Sequence, residues 1–118
     1  MIEKRGLHRR LLAWGLLVSG LLFAAGLLAQ EIVWIDVRTP GEYSEAHVSQ
    51  AINIPYDEIE TGIAGLELES DQTIYLYCGS GRRAGIAQET LQSMGYSQVV
   101  NVGGLAQAQE LAGESGRP

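Results

Sequence analysis

Residues 75–85, with the sequence Tyr-Leu-Tyr-Cys-Gly-Ser-Gly-Arg-Arg-Ala-Gly, include the side chains best suited to chemistry in this chain. An apolar run ends at Cys78, the only cysteine, and Gly79, Ser80 and Gly81 follow it without bulky side chains. A helical pattern comes next. A thiol placed between a buried strand, free loop N–H groups and a helix N-terminus is expected to be a nucleophile with a depressed pKa.

Arg82 and Arg83 come directly after this loop, in the first turn of the predicted helix. The helix macrodipole disfavours cations there, so either both arginines are solvated or an anion compensates them. Loop N–H groups also bind anions. We therefore predict a binding loop over residues 79–83, in which at least one arginine contacts an anionic substrate.

Asp36, Arg38 and His47 are the other candidates, and we interpret all three as structural support. Asp36 and Arg38 are two residues apart on a predicted strand, so they share a face and can form an ion pair; a general acid role for Asp36 is the alternative. His47 is the only histidine after residue 29. With one cysteine and one histidine, no usual metal-ligand set can form, and we expect neither a metal nor another cofactor.

The N-terminal residues have the pattern of an export signal. Lys4, Arg5, Arg9 and Arg10 precede residues 11–29, which carry no charge. This stretch is also just long enough to span a membrane. Two hypotheses stay open: cleavage after Ala29, or retention as a membrane anchor. Both place the remainder outside the cytoplasm, in the periplasm or anchored to the membrane through residues 11–29.

The remainder of the chain is acidic. It holds 13 of the 14 acidic residues, against four arginines and no lysine. This balance argues against nucleic acid as a partner. A single cysteine also excludes an internal disulfide, and in an exported chain it indicates a reactive or intermolecular thiol.

The spacing of apolar residues predicts alternating strands and helices. We predict strands over residues 32–38, 51–55, 73–78 and 98–102, and helices over 42–47, 56–66, 83–94 and 105–112, with a loop at 103–104. Such alternation indicates an α/β fold with a central parallel sheet of four to five strands and helices on both faces. We expect a signal or anchor helix over 1–29, one domain over 30–113 and a tail over 114–118.

Three segments of the chain resemble the rhodanese family. They are residues 34–55, which contain Asp-Val-Arg-Thr-Pro-Gly-Glu-Tyr and end in Ala-Ile-Asn-Ile-Pro, residues 78–83, and the Asn-Val-Gly-Gly-Leu of 101–105. The resemblance implies a small rhodanese-like domain in which Cys78 carries a persulfide and the backbone of residues 79–83 cradles it. Asp36, Arg38 and His47 match scaffold positions. The chain is most similar to single-domain, periplasmic thiosulfate sulfurtransferases of that family.

The function that this resemblance implies is transfer of sulfane sulfur from thiosulfate or a similar anionic donor to a thiophilic acceptor, either cyanide or a thiol. Two alternatives stay within the family: a persulfide carrier serving the thiol of another exported protein, and a non-catalytic binding module. A third is a phosphate or arsenate enzyme. Related folds use Cys-x5-Arg loops for those anions, whereas Cys78 to Arg83 is one residue shorter, which suits a single sulfur atom better.

Overall fold

The computed structural model of the protein describes residues 31–115, in which strands and helices alternate. The strands are β1 (Val33–Asp36), β2 (Ile52–Asn53), β3 (Thr73–Cys78) and β4 (Gln98–Gly104). The helices are α1 (Pro40–Glu45), α2 (Ile59–Ala64), α3 (Arg82–Ser93) and α4 (Leu105–Leu111), and a 3-10 turn (Tyr56–Glu58) precedes α2.

The four strands form one parallel sheet in the order β2-β1-β3-β4. β1 and β3 are therefore central, and Asp36 pairs with Tyr77 one residue before β3 ends at Cys78. Parallel neighbours need crossover connections, which the helices provide. The predicted α/β class and central parallel sheet are confirmed, with four strands in the described part of the chain.

Strand alternation gives the sheet two apolar faces. One face packs against α2 and α3, and its buried residues are Ile35, Val37, Ile54, Ile59, Ile63, Ile74, Leu76, Cys78, Ala84, Ala87, Leu91 and Val99. The other face packs against α4, and its buried residues are Trp34, Val48, Ala51, Tyr77 and Ala108. Burying one large aliphatic side chain contributes about 1.5–3 kcal/mol, so both faces hold the sheet and its helices together.

Helix α1 begins at Pro40, earlier than the predicted residue 42. Thr39 is its N-cap, and the side chain of Thr39 accepts a hydrogen bond from the N–H of Glu42 while the Glu42 carboxylate accepts one from the N–H of Thr39. Proline is tolerated at the first helical position because its missing N–H would have no partner there. Pro40 and Gly41, which precede the predicted start at residue 42, therefore form the first two residues of the helix.

The prediction of a loop at residues 103–104 is wrong. Gly103 pairs with Tyr77 and Gly104 pairs with Cys78, so β4 continues beside β3 to its end. The pairing shifts register after Leu76, which indicates a β-bulge in β4. Glycines weaken a strand by propensity, but the backbone pairing with β3 outweighs that preference here.

The single helix predicted over residues 56–66 is divided. Tyr56–Glu58 forms the 3-10 turn, and the α-helical part, α2, ends at Ala64. No helix among residues 31–115 is long and apolar enough to cross a membrane. The predicted signal or anchor segment lies outside the described residues. Glu114, predicted to belong to a tail, accepts a hydrogen bond from the Ser49 N–H at 3.0 Å.

Candidate active site

Cys78 is the last residue of β3 and is buried, with 1% of its surface exposed. Its side chain lies on the sheet face that packs against α3. The Sγ atom nevertheless has a polar partner, because the N–H of Gly81 donates to it at 2.9 Å. The sulfur therefore sits between the apolar core and the turn that leads into α3.

Two opposing effects set the pKa of Cys78. Burial, the largest single effect, raises it, whereas the backbone N–H groups of Ala84, Ser80, Gly81 and Arg83 each lower it, and together they outweigh the burial. The pKa of the thiol is thus lowered overall. Hydrogen bonds to the charged form stabilise that form, so this loop favours the thiolate.

Gly81 makes the turn that brings these N–H groups to the sulfur. It is the N-cap of α3 and has φ +98°, a conformation that glycine adopts at little cost. Its carbonyl accepts the hydrogen bond from the Gly85 N–H that begins the helix. The Gly-Ser-Gly sequence thus forms the tight connection from strand to helix that its composition predicts.

The end of β4 holds this turn from the other side. Asn101 donates through Nδ2 to the Gly81 carbonyl at 2.9 Å, and its Oδ1 accepts from the Gly103 N–H at 2.9 Å. A Cβ atom on Gly104 would overlap the carbonyl oxygen of Gly79. Sequence reasoning gave Asn101 no role, although its place before two glycines at the end of a strand was visible.

The two arginines of the loop have different surroundings. The Arg83 guanidinium forms two hydrogen bonds with the Glu42 carboxylate, Nη1 to Oε1 at 2.7 Å and Nη2 to Oε2 at 3.0 Å. Arg82 is exposed and makes no hydrogen bond or ion pair with any residue in the described range 31–115. Sequence reasoning missed Glu42, because this pairing joins residues 41 positions apart.

Asp36 and Arg38 form a buried ion pair, with Arg38 Nη2 2.7 Å from Asp36 Oδ2. Arg38 also donates to the Ala46 carbonyl at 2.6 Å. The hydrogen bond to Asp36 is the main cause of the raised pKa of Arg38. Through these contacts the pair ties β1 to the segment after α1.

His47 packs in a stack with the ring of Tyr43, and the two ring centroids are 3.7 Å apart. Its Nδ1 is 2.7 Å from the carbonyl oxygen of Tyr43, so in this geometry the Nδ1–H donates to that oxygen. The Tyr43 hydroxyl in turn donates to the carbonyl of Ala51. These contacts fit a structural group that fixes the segment between α1 and β2.

Residues 31–115 contain no cluster of three or more His, Cys, Asp and Glu side chains arranged to hold a metal ion. A cavity of about 420 Å³ lies beside β2 and α2, lined by Asn53, Ile54, Pro55, Glu58, Thr61 and Gly62. Neither Cys78 nor either loop arginine lines it. Within the described residues, the thiol and the loop arginines therefore lie together at the end of β3 and the start of α3.

Comparison with known proteins agrees with this arrangement. The family model described as a rhodanese-like domain matches residues 22–110. The chain is 45% identical over 91 residues to thiosulfate sulfurtransferase PspE of Escherichia coli strain K12, covering 77% of this chain and 86% of PspE. It is 38% identical over 77 residues to thiosulfate:glutathione sulfurtransferase of Saccharomyces cerevisiae, covering 56% of this chain and 55% of the yeast protein.

A solved structure described as a rhodanese with anions from E. coli has a similar fold. The TM-score is 0.62 at 40% sequence identity, and the match covers 75% of this chain and 95% of that one. The family resemblance read from three sequence segments is therefore confirmed. With its parallel sheet and its single cysteine at the end of β3, the chain belongs to the rhodanese-like domain family of sulfurtransferases.

Proposed function

We propose that the protein moves sulfane sulfur from thiosulfate, or a similar anionic donor, to a thiophilic acceptor through a persulfide on Cys78. The observation that supports this most is the 2.9 Å hydrogen bond from the Gly81 N–H to Sγ. It belongs to a ring of backbone donors that lowers the pKa of the thiol despite its burial. A thiolate stabilised in this way can attack sulfur without a separate general base.

The first half-reaction transfers one sulfur atom to the protein. The Cys78 thiolate attacks the outer sulfur of thiosulfate, the S–S bond of the donor breaks, and sulfite leaves with the bonding electron pair. The outer sulfur stays on Cys78 as an anionic persulfide. The N–H groups of Ser80, Gly81, Arg83 and Ala84, which lower the pKa of Cys78, stabilise this anion as an oxyanion hole stabilises an alkoxide.

The second half-reaction restores the thiolate. Cyanide or a thiolate attacks the terminal sulfur of the persulfide, the S–S bond to Cys78 breaks, and its electron pair returns to Sγ. Because only 1% of Cys78 is exposed, both the donor and the acceptor require the atoms that cover this residue to move aside. Access to the sulfur is therefore part of the reaction cycle.

A small thiol is the second candidate for the acceptor. The name of the yeast relative, thiosulfate:glutathione sulfurtransferase, favours it over cyanide. Release of sulfite measured with either glutathione or cyanide as acceptor distinguishes the two. Turnover that requires a partner protein carrying a thiol would instead favour the persulfide carrier.

We also propose that residues 1–29 export the domain formed by residues 30–113. The four basic residues and the uncharged stretch that follows them support this. Sequencing the N-terminus of the protein recovered from cell fractions distinguishes cleavage after Ala29 from retention as an anchor. An uncleaved chain in the soluble cytoplasmic fraction would contradict export.

Steady-state turnover tests the proposed activity. We expect the protein to form thiocyanate from thiosulfate and cyanide, and we expect Cys78→Ser and Cys78→Ala to reduce the rate by more than about a thousandfold, since each removes the nucleophile. Circular dichroism of both variants checks that they remain folded. Thiocyanate formation by a folded Cys78→Ser variant at the wild-type rate would contradict the proposal.

A further inference from the structure

Among residues 31–115 there are three cations, all arginines, and two of them have acidic partners. Arg38 pairs with Asp36, and Arg83 pairs with Glu42. Arg82 remains exposed without a partner in this range, one residue after the Gly81 N–H that contacts Sγ. Adjacent arginines of the same loop thus differ in their freedom to receive an anion.

Contacts with Thr39 hold the Glu42 carboxylate in place, in addition to its ion pair with Arg83. Its Oε1 accepts hydrogen bonds from the N–H of Thr39 at 3.2 Å and from the Thr39 hydroxyl at 3.1 Å. The hydrogen bonds from Arg83 are the main cause that lowers the pKa of Glu42 to about 2. The carboxylate is therefore charged at every pH at which the thiol reacts, and it holds a bidentate ion pair, a geometry in which two N–H donors match two oxygens.

This ion pair lies against the loop that carries the thiol. A Cβ atom built on Gly79 would be 3.3 Å from Nη2 of Arg83, so the guanidinium runs alongside Gly79 towards α1. Its positive charge is compensated within hydrogen-bond distance by Glu42. Besides its hydrogen bonds to Glu42, the Arg83 guanidinium also interacts with the Cys78 sulfur, and both contribute to the raised pKa of Arg83. At the sulfur its charge is thus already compensated by Glu42, whereas the charge of Arg82 has no carboxylate partner within residues 31–115.

We propose that Glu42 determines which arginine receives the anionic donor: by holding Arg83, it leaves Arg82 as the anion receptor and limits how tightly anions bind. This inference rests on the proposed function for the identity of the anionic substrate. The experiment that tests it does not require sulfur transfer. Weaker anion binding suits a site that must release sulfite after each transfer. Freed from Glu42, Arg83 becomes a second receptor beside the same loop.

Protection of Cys78 by inorganic sulfate tests the assignment without sulfur transfer. The rate of alkylation of Cys78 by iodoacetamide is measured against sulfate concentration, with chloride holding the ionic strength constant. The variants are Arg82→Gln, Glu42→Gln and the double variant. Glutamine also serves at the third position of a capping box, so Glu42→Gln retains the start of α1. Glu45→Gln removes the same charge from an exposed position of α1 and is the matched control.

We expect Arg82→Gln to weaken sulfate protection and Glu42→Gln to strengthen it, each by about threefold, the effect typical of an exposed ion pair. The double variant is expected to recover much of the loss, since Arg83 then replaces Arg82. Glu45→Gln is expected to shift protection by less than Glu42→Gln. The increase in sulfate protection caused by Glu42→Gln should be smaller at high salt, because salt screens exposed charges.

Three results would overturn the inference: no sulfate protection in the wild type, protection unaffected by Arg82→Gln, or protection weakened by Glu42→Gln. The last would mean that Glu42 presents Arg83 to the anion instead of withholding it. The proposed function can be contradicted independently of this inference. If sulfate behaves as expected but thiosulfate adds no sulfur to Cys78, only the proposed reaction is wrong.

Discussion

At the scale of single residues, the balance around Cys78 decides the chemistry. Burial alone would leave a neutral, inert thiol. Four backbone N–H groups reverse that tendency and lower its pKa. Because these donors belong to the backbone, the sulfur environment depends on the conformation of the loop more than on its side chains. Ser80 therefore contributes its N–H, whichever way its hydroxyl points.

The lowered pKa of Cys78 predicts the pH dependence of its alkylation. An ordinary cysteine thiol has a pKa near 8.5. In the folded chain, the alkylation rate should rise with pH at a lower pH than this, and in denaturant the midpoint of the pH profile should return to the ordinary pKa. Linkage requires that the thiolate stabilise the fold fully above the unfolded-state pKa and lose that contribution as pH falls through the folded-state pKa. Urea unfolding of the wild type and Cys78→Ser should therefore diverge as pH rises through this window. Coincident alkylation profiles for folded and unfolded chains would contradict the site.

What the sequence predicts at this scale depends on distance along the chain. The thiol, its glycines and the helix start lie within a few residues, so a local pattern indicates them. The pairing of Asp36 with Arg38 is likewise local. The pairing of Arg83 with Glu42 requires α1 to lie near the active loop, and no local pattern encodes that proximity.

At the scale of elements, β4 shapes the active loop although it contributes no reactive group. Asn101 holds the Gly81 carbonyl and the Gly103 N–H together. The extension of β4 through Gly104 brings its backbone against Gly79. The strand thus braces the turn that carries the N–H donors.

Gly104→Ala tests this contact. Gly104 has φ −98° and ψ 178°, which alanine also adopts, so the substitution acts through the added methyl group, which would overlap the Gly79 carbonyl oxygen and lie 2.9 Å from the side-chain oxygen of Gln107. We expect a loss of about 1–3 kcal/mol in unfolding free energy, as for overpacking, together with a higher Cys78 pKa in the alkylation profile. Gly41→Ala is the matched control, since the nearest atom to its added carbon is 3.9 Å away. Equal stability of both variants would show that the close approach has no consequence.

The sequence predicts the existence of the elements better than their ends. Apolar runs with β-branched residues indicate β1 and β3, and the spacing of Ala84, Ala87 and Leu91 indicates the buried face of α3. Gly103 and Gly104 are predicted to form a loop because the propensities of single residues take no account of pairing with a neighbouring strand. The start of α1 at Pro40 follows from the Thr39 cap, which the Pro-Gly pair obscures.

At the scale of the whole molecule, the distribution of charge is uneven. Thirteen acidic residues outnumber four arginines after residue 29, and two of those arginines lie within five residues of Cys78. An acidic body repels anions, so a small anionic donor meets positive charge mainly at the active loop. Composition indicates this asymmetry directly. The strand order β2-β1-β3-β4 is not encoded in composition, because it depends on how the crossovers pack.

Intact-mass measurement of the protein after thiosulfate treatment, with no acceptor present, tests the central claim most directly. We predict a gain of one sulfur atom, located on Cys78, that disappears when cyanide is added and thiocyanate forms. The Cys78→Ser variant should gain no mass. If the wild-type protein turns over thiosulfate while its mass stays unchanged, or if the serine variant gains sulfur, Cys78 is not the sulfur carrier.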